Sequence, residues 1–208
     1  MHGEVRAVDD VAAAFCDLVV EESPETIALS GGGTAERCYA ALRERPFDWT
    51  RVTVLFGDER DVPVHDEDSN EGMARRVLLD HVQPAAIHSM VGIGAREYDS
   101  LVRSMPPVDL VHLGLGPDGH TASLFPGAPS LAVDDRFVID AAGDVDHPHD
   151  RITFTFPAIA RSQLVVVTVE GSSKREAWER LVRGDDVPAQ HVTATRVVWL
   201  VERSLFDG

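Results

Sequence analysis

Apolar positions along the chain alternate between two rhythms. Across residues 8–22 they recur at helical spacing (Val8, Val11, Ala12, Phe15, Leu18, Val19) and predict a helix, and the short apolar run 26–29 predicts a buried strand. Ser30-Gly31-Gly32-Gly33-Thr34 then breaks the pattern. Residues 35–45 read as a helix stopped by Pro46, and 52–56 as the next strand. Asp68-Ser69-Asn70 offers caps for a helix running through His81, with Glu71 in its first turn where the macrodipole favours an acid. A second round obeys the same grammar: a helix at 97–104, a strand at 108–113 that stops at Gly114, strands at 151–156 and 164–169, a helix at 172–183 and a last strand at 197–201.

This alternation predicts an α/β fold, a single doubly wound, mostly parallel sheet with helices on both faces, Rossmann-like in plan. With 208 residues, 44% hydrophobic and 26% charged, and no repeat, low-complexity linker or long charge block, one domain spanning 1–208 is expected. The polar residues 1–10 predict no export leader and the longest apolar runs are strand-length, so a cytoplasmic location is expected. Cys16 and Cys38 fall within helical apolar patterns and read as reduced, buried thiols.

A formal net charge of −16 argues against nucleic acid or an anionic membrane as a partner, and it requires that any anionic ligand be met by a local basic pocket. Of the 19 basic residues all are arginine except Lys174. It is either a stray surface lysine or a place where a compact, three-donor ammonium is wanted.

In doubly wound sheets ligands bind at the carboxyl ends of the strands, so the residues just after each strand carry the chemistry. Ser30-Gly31-Gly32-Gly33-Thr34 opens a helix, where glycines allow close backbone approach and free N–H groups favour an anion; phosphate binding is the expectation, a plain glycine turn the alternative. The loop fits the dinucleotide fingerprint poorly, because Glu36 stands in the third glycine's place, and it lacks a P-loop Gly-Lys-Ser/Thr. Gly57-Asp58-Glu59-Arg60-Asp61 follows the next strand. Asp58 is a candidate for catalysis or for a cofactor ribose, and Arg60 for phosphate, against a solvated loop of mutually neutralising charges. After the strand at 108–113, His120 lies in a glycine-rich loop, placed to move protons near neutral pH. His81, His88 and His112 read as core or surface residues. His147 and His149 look like metal ligands, but their acidic, proline-containing loop lacks a third paired ligand, so no metal site is expected.

Taken together, these segments resemble the 6-phosphogluconolactonases of the pentose phosphate pathway. The resemblance rests on the Ser30–Thr34 loop, Asp58-Glu59-Arg60 with Val62-Pro63, Asp68-Ser69-Asn70, and above all Gly114-Leu115-Gly116-Pro117-Asp118-Gly119-His120-Thr121-Ala122-Ser123-Leu124-Phe125-Pro126-Gly127. Arg151-Ile152-Thr153 with Pro157-Ala158, and Gly171-Ser172-Ser173-Lys174, complete it over nearly the whole chain. By similarity to glucosamine-6-phosphate deaminases, which share the family's fold, the resemblance implies phosphate contacts from Ser30, Gly31, Gly32, Thr34, Arg151 and Lys174, with Arg60 near the substrate. The pattern departs at His191, where relatives often carry a basic residue.

The resemblance implies hydrolysis of a sugar-phosphate lactone without cofactor or metal, by a monomer or weak homo-oligomer. The absence of a Gly-x-Ser-x-Gly elbow favours direct attack by water, with His120 as general base or acid and Asp58 orienting it or the water. The alternatives are a sugar-phosphate deaminase or isomerase on the same fold, and a sensor that binds without turnover.

Overall fold

The computed structural model describes residues 1–143, 145 and 147–206. In chain order the first half runs β1 (Glu4–Val8), α1 (Val11–Glu22), β2 (Thr26–Leu29), α2 (Gly33–Leu42), β3 (Thr53–Phe56), β4 (Asp58–Arg60), α3 (Asn70–Ala74), β5 (Ala86–Ile87) and α4 (Ala95–Ser104). The second half runs β6 (Leu110–Gly114), β7 (Val138–Ala141), β8 (Arg151–Phe154), α5 (Phe156–Arg161), β9 (Leu164–Val169), α6 (Arg175–Arg183) and β10 (Arg196–Glu202).

Seven strands form one sheet, ordered β1-β10-β9-β6-β2-β3-β5 and parallel throughout. All six residues of β9 are buried, which is why Leu-Val-Val-Val-Thr-Val reads as an unbroken apolar run rather than an alternating one. From β2 the chain winds outward through β3 to β5, then returns to lay β6 on the other side of β2. The loops leaving β2 and β6 therefore diverge, and a crevice opens between them at the carboxyl edge, the place where such sheets bind ligands.

The α/β class and the mostly parallel sheet are those the alternation predicts. A second, three-stranded antiparallel sheet, β4-β8-β7, is added beside it. The segment expected as a strand at 151–156 belongs here, ending at Phe154 because Pro157 starts α5 in its first turn. Asp58–Arg60, expected as a loop, is a strand of this sheet. The helix expected from residue 8 begins at Val11, where the Asp10 carboxylate accepts the Ala13 N–H at 2.9 Å, and Val8 instead closes β1. Ser69 caps α3, which passes into a π-helical turn at Arg75–Leu79 rather than continuing as α-helix to His81.

Cys16 and Cys38 are free and fully buried, and burial pushes both thiols up, Cys38 to about 12. Among the described residues no helix is long and apolar enough to cross a membrane.

Candidate functional site

A cavity of about 190 Å³ occupies the crevice between the loops after β2 and β6. Ser30, Gly31 and Gly32 line it from one side, Gly114, Leu115, Gly116, His120 and Ala122 from the other, with Asp58, Arg60 and Arg151 contributed by the small sheet and Lys174 by the turn before α6. Thr34 lies outside it, on a smaller adjoining pocket of about 90 Å³ shared with Thr168, Glu170 and Lys174. Eight of the nine residues expected at the site thus meet in one cavity, and the ninth sits next door.

The loop after β6 is built around one histidine. The Gly116 N–H bonds the His120 carbonyl at 2.8 Å and the Gly119 N–H bonds the Gly116 carbonyl at 3.0 Å, folding the loop back on itself. Asp118 Oδ1 then accepts the His120 N–H at 3.1 Å and lies 2.6 Å from Nδ1. A Cβ at Gly116 would lie 2.1 Å from His120 Nδ1 and 2.7 Å from Asp118 Oδ1, so any larger residue there would push the pair out of place. Burial alone would raise the Asp118 pKa; the hydrogen bonds and charge of His120 outweigh it and hold the carboxyl down to about 2. An ionised Asp118 fixes the proton on Nδ1 and leaves the lone pair on Nε2, the form a general base needs. The Arg180 guanidinium braces this turn through the Asp118 carbonyl at 3.2 Å.

Asp58 does not orient His120. Its buried carboxylate accepts the Ser123 hydroxyl at 2.7 Å, tying the histidine loop to β4, while Asp118 takes the orienting role. Nor is the Asp58-Glu59-Arg60 cluster a solvated loop. Glu59 is buried and accepts the N–H groups of Arg60, Asn70 and Glu71 and the Ser69 hydroxyl, so it caps α3 and sets Asn70 in place. The Asn70 side-chain oxygen accepts Arg60 Nη1 at 2.7 Å and packs so closely on Gly31 that no Cβ fits there.

The opposite end of the crevice suits an anion. Gly32, at φ 93°, opens α2 without any side-chain cap, so the first-turn N–H groups have no partner within the helix. Ser30 Oγ is buried with no hydrogen-bond partner. Lys174 is half-buried and its ammonium makes no hydrogen bond or ion pair with the described residues; burial lowers its pKa, opposed by the charge of Asp118. Arg151 is buried, its guanidinium carbon 5.3 Å from the centre of the Phe125 ring. Arg37 pairs with Glu170 at the rim.

The model that matches residues 4–199 describes the glucosamine-6-phosphate isomerases and 6-phosphogluconolactonases. The chain belongs to this family. It is similar to the 6-phosphogluconolactonase of a Synechocystis strain, 36% identical over 95% of this chain and 90% of that one, and to that of Mycobacterium tuberculosis, 32% identical over 95% and 89%. In fold it is similar to the crystal structure of 6-phosphogluconolactonase from Thermotoga maritima, at 27% identity and a TM-score of 0.81, covering 96% of this chain and 99% of that one. A monomeric glucosamine-6-phosphate deaminase matches at a TM-score of 0.84 and 20% identity, a likeness of fold alone.

The chain carries one feature that its sequence concealed. His147, expected in a loop without paired ligands, lines the cavity, stacks on Phe125 at 3.9 Å and lies edge-on to His120 at 5.2 Å. Its ligand atom, with those of Asp118 and His120, falls in a group spanning 4.8 Å, so the paired partners missing from its own loop are supplied by another. His149 instead bonds Asp68 at 2.9 Å. His191 pairs with Asp186 on the surface and does not line the cavity. Asp118 and Asn70 also line or brace the site without having been singled out for it; Asp118 had a local signal, an acid two residues before the histidine in a glycine turn, and Asn70 stood in the Asp68-Ser69-Asn70 segment.

Proposed function

We propose that this chain is a 6-phosphogluconolactonase, hydrolysing 6-phospho-D-glucono-1,5-lactone to 6-phosphogluconate in the oxidative branch of the pentose phosphate pathway. One observation carries the reading. A single cavity joins a carboxylate-oriented histidine, His120 with Asp118, to an uncapped helix start faced by the chain's one lysine. Lactone hydrolysis needs a proton-transfer group at one end of its substrate and a phosphate grip at the other, and the similarity to 6-phosphogluconolactonases supports that pairing.

In the proposed reaction His120 Nε2 takes a proton from water as the water oxygen attacks the lactone carbonyl. The tetrahedral oxyanion collapses, the bond from the carbonyl carbon to the ring oxygen breaks, and the proton held by His120 passes to that oxygen, leaving a free hydroxyl and a carboxylic acid that ionises in solution. Asp118 stabilises the imidazolium in between, as the carboxylate does in a Ser-His-Asp triad. Ser30, Gly31, Gly32, Thr34 and Lys174 hold the phosphate, Arg60 and Arg151 the sugar or phosphate, and Asp58 keeps the histidine loop in register. The active unit is the whole of 1–208, acting in the cytoplasm as a monomer or weak homo-oligomer, without metal or cofactor.

Proton release on freshly prepared 6-phosphogluconolactone, corrected for spontaneous hydrolysis, tests the reading against the unphosphorylated lactone and against ammonia release from glucosamine 6-phosphate. Charge-assisted hydrogen bonds contribute about 1.5–3 kcal/mol each, so the unphosphorylated lactone should lose on the order of ten- to a hundredfold in kcat/KM per phosphate contact. Comparable efficiency on both lactones, or ammonia release exceeding lactone turnover, would overturn it.

A further inference from the structure

Beneath the cavity a chain of hydrogen bonds crosses the apolar core. The Ser30 N–H bonds the Tyr39 hydroxyl at 2.8 Å, that hydroxyl lies 2.8 Å from His112 Nδ1, and His112 Nε2 lies 3.0 Å from the Thr168 hydroxyl. Tyr39 and His112 are completely buried and Thr168 nearly so. The three belong to α2, β6 and β9, the elements that bound the crevice, and neither neutral tautomer of His112 leaves a ring nitrogen without a partner. Burial keeps the ring neutral, its pKa pushed down to about 3.

Polar groups in such a core cost stability unless every one is satisfied, and an apolar trio would pack the same space without that risk. What the chain adds is at its two ends. Ser30 is the first residue past β2, and its N–H is fixed from below while its hydroxyl is left for the cavity. Thr168 lines the adjoining pocket beside Glu170 and Lys174. The chain thus ties one wall of the anion pocket, the start of α2, to the other, the strand leading into the Lys174 turn.

We propose that Tyr39 and His112 are positioning residues for phosphate, setting the separation of the Ser30 loop from the Lys174 side without touching the substrate. This rests on the phosphate site assigned above. A role confined to stability would lower the melting temperature and treat phosphorylated and unphosphorylated substrates alike. A positioning role separates them, because only the phosphorylated one uses the pocket.

The test compares Tyr39→Phe, His112→Leu and His112→Asn with Lys174→Ala, each well below its melting temperature. In Tyr39→Phe and His112→Leu, each of which breaks two links of the chain, the KM for 6-phosphogluconolactone and the Kd of 6-phosphogluconate should rise about three- to tenfold as the pocket's spacing loosens, with kcat and the kcat/KM for unphosphorylated lactone within about twofold of wild type. His112→Asn, whose amide can still meet the Tyr39 hydroxyl, should recover most of the affinity. If Lys174→Ala weakens 6-phosphogluconate binding while Tyr39→Phe and His112→Leu leave it unchanged, or if they depress both lactones equally, the positioning role is wrong and the phosphate site stands. If Lys174→Ala leaves the binding unchanged, the phosphate assignment fails and takes this inference with it.

Discussion

Asp118 gives His120 a fixed tautomer, and that makes its charge testable apart from its shape. Asp118→Asn keeps the side chain's size while removing the negative charge that favours the proton on Nδ1, and its amide can donate to Nδ1 instead, so kcat should fall toward the level of a histidine-less variant with little change in KM. The pH dependence follows from the depressed pKa. A carboxyl that titrates near 3.8 when free and at about 2 in the fold stabilises the native state fully above pH 4, and loses that contribution as pH falls toward 2. The melting-temperature gap between wild type and Asp118→Asn should therefore narrow as pH falls from 4 toward 2; a gap that widens over that range would contradict the pairing. Position after a strand points to both His120 and Asp58 in the sequence, with Asp58 as a candidate to orient the histidine or the water, and in the fold it is Asp118 that bonds the His120 ring. Asp58 and His120 do converge on the cavity, yet what each carboxylate bonds depends on a loop that folds back through Gly116 and Gly119, and residue spacing does not encode that path.

At the scale of elements, the proposed phosphate grip divides between the start of α2 and the turn before α6. The Lys174 ammonium faces the pocket without a partner among the described residues, and the phosphate it is assigned is remote from the ester, held equally in ground and transition states. Lys174→Ala should accordingly raise KM by roughly ten- to a hundredfold, with a smaller fall in kcat from looser positioning. Lys174→Arg, which keeps the charge but changes donor geometry, should rescue only part; full rescue would show that charge alone is used. These two elements were legible because glycine loops opening apolar-periodic helices have strong signals. The small antiparallel sheet was not. β4 has three residues, all charged, and its burial comes from the Glu59 bonds to α3 and from pairing with β8, neither of which leaves a period in the sequence. The parallel core strands announce themselves by continuous apolar runs, whereas β1, an edge strand with no fully buried residue, merges into the helix pattern after it.

For the molecule as a whole, a net charge of −16 surrounds a cavity that must accept an anion. The basic groups at the cavity are local, Arg60, Arg151 and Lys174 beside the helix start, so in the proposed function substrate capture rests on a few side chains working against the overall field. The cavity also gathers Asp118, His120 and His147 closely enough to invite the question of a metal ion. In the proposed reaction Asp118 is committed to His120 and the base is Nε2, which a bound ion would occupy, so EDTA should leave kcat unchanged and added Zn²⁺ should inhibit rather than activate. Loss of turnover in EDTA with recovery on adding Zn²⁺ or Mg²⁺ would reverse that assignment.

The central claim is that His120 transfers the proton in lactone hydrolysis, and the most direct test is a pH-stat comparison of wild type with His120→Ala on fresh 6-phosphogluconolactone, with 6-phosphogluconate affinity measured separately. A group that acts only as the transition state forms should, when removed, lower kcat by roughly 10²–10⁴-fold and leave ligand affinity nearly unchanged. Full turnover by His120→Ala, or a wild-type protein that binds 6-phosphogluconate yet never accelerates lactone opening, would contradict the account.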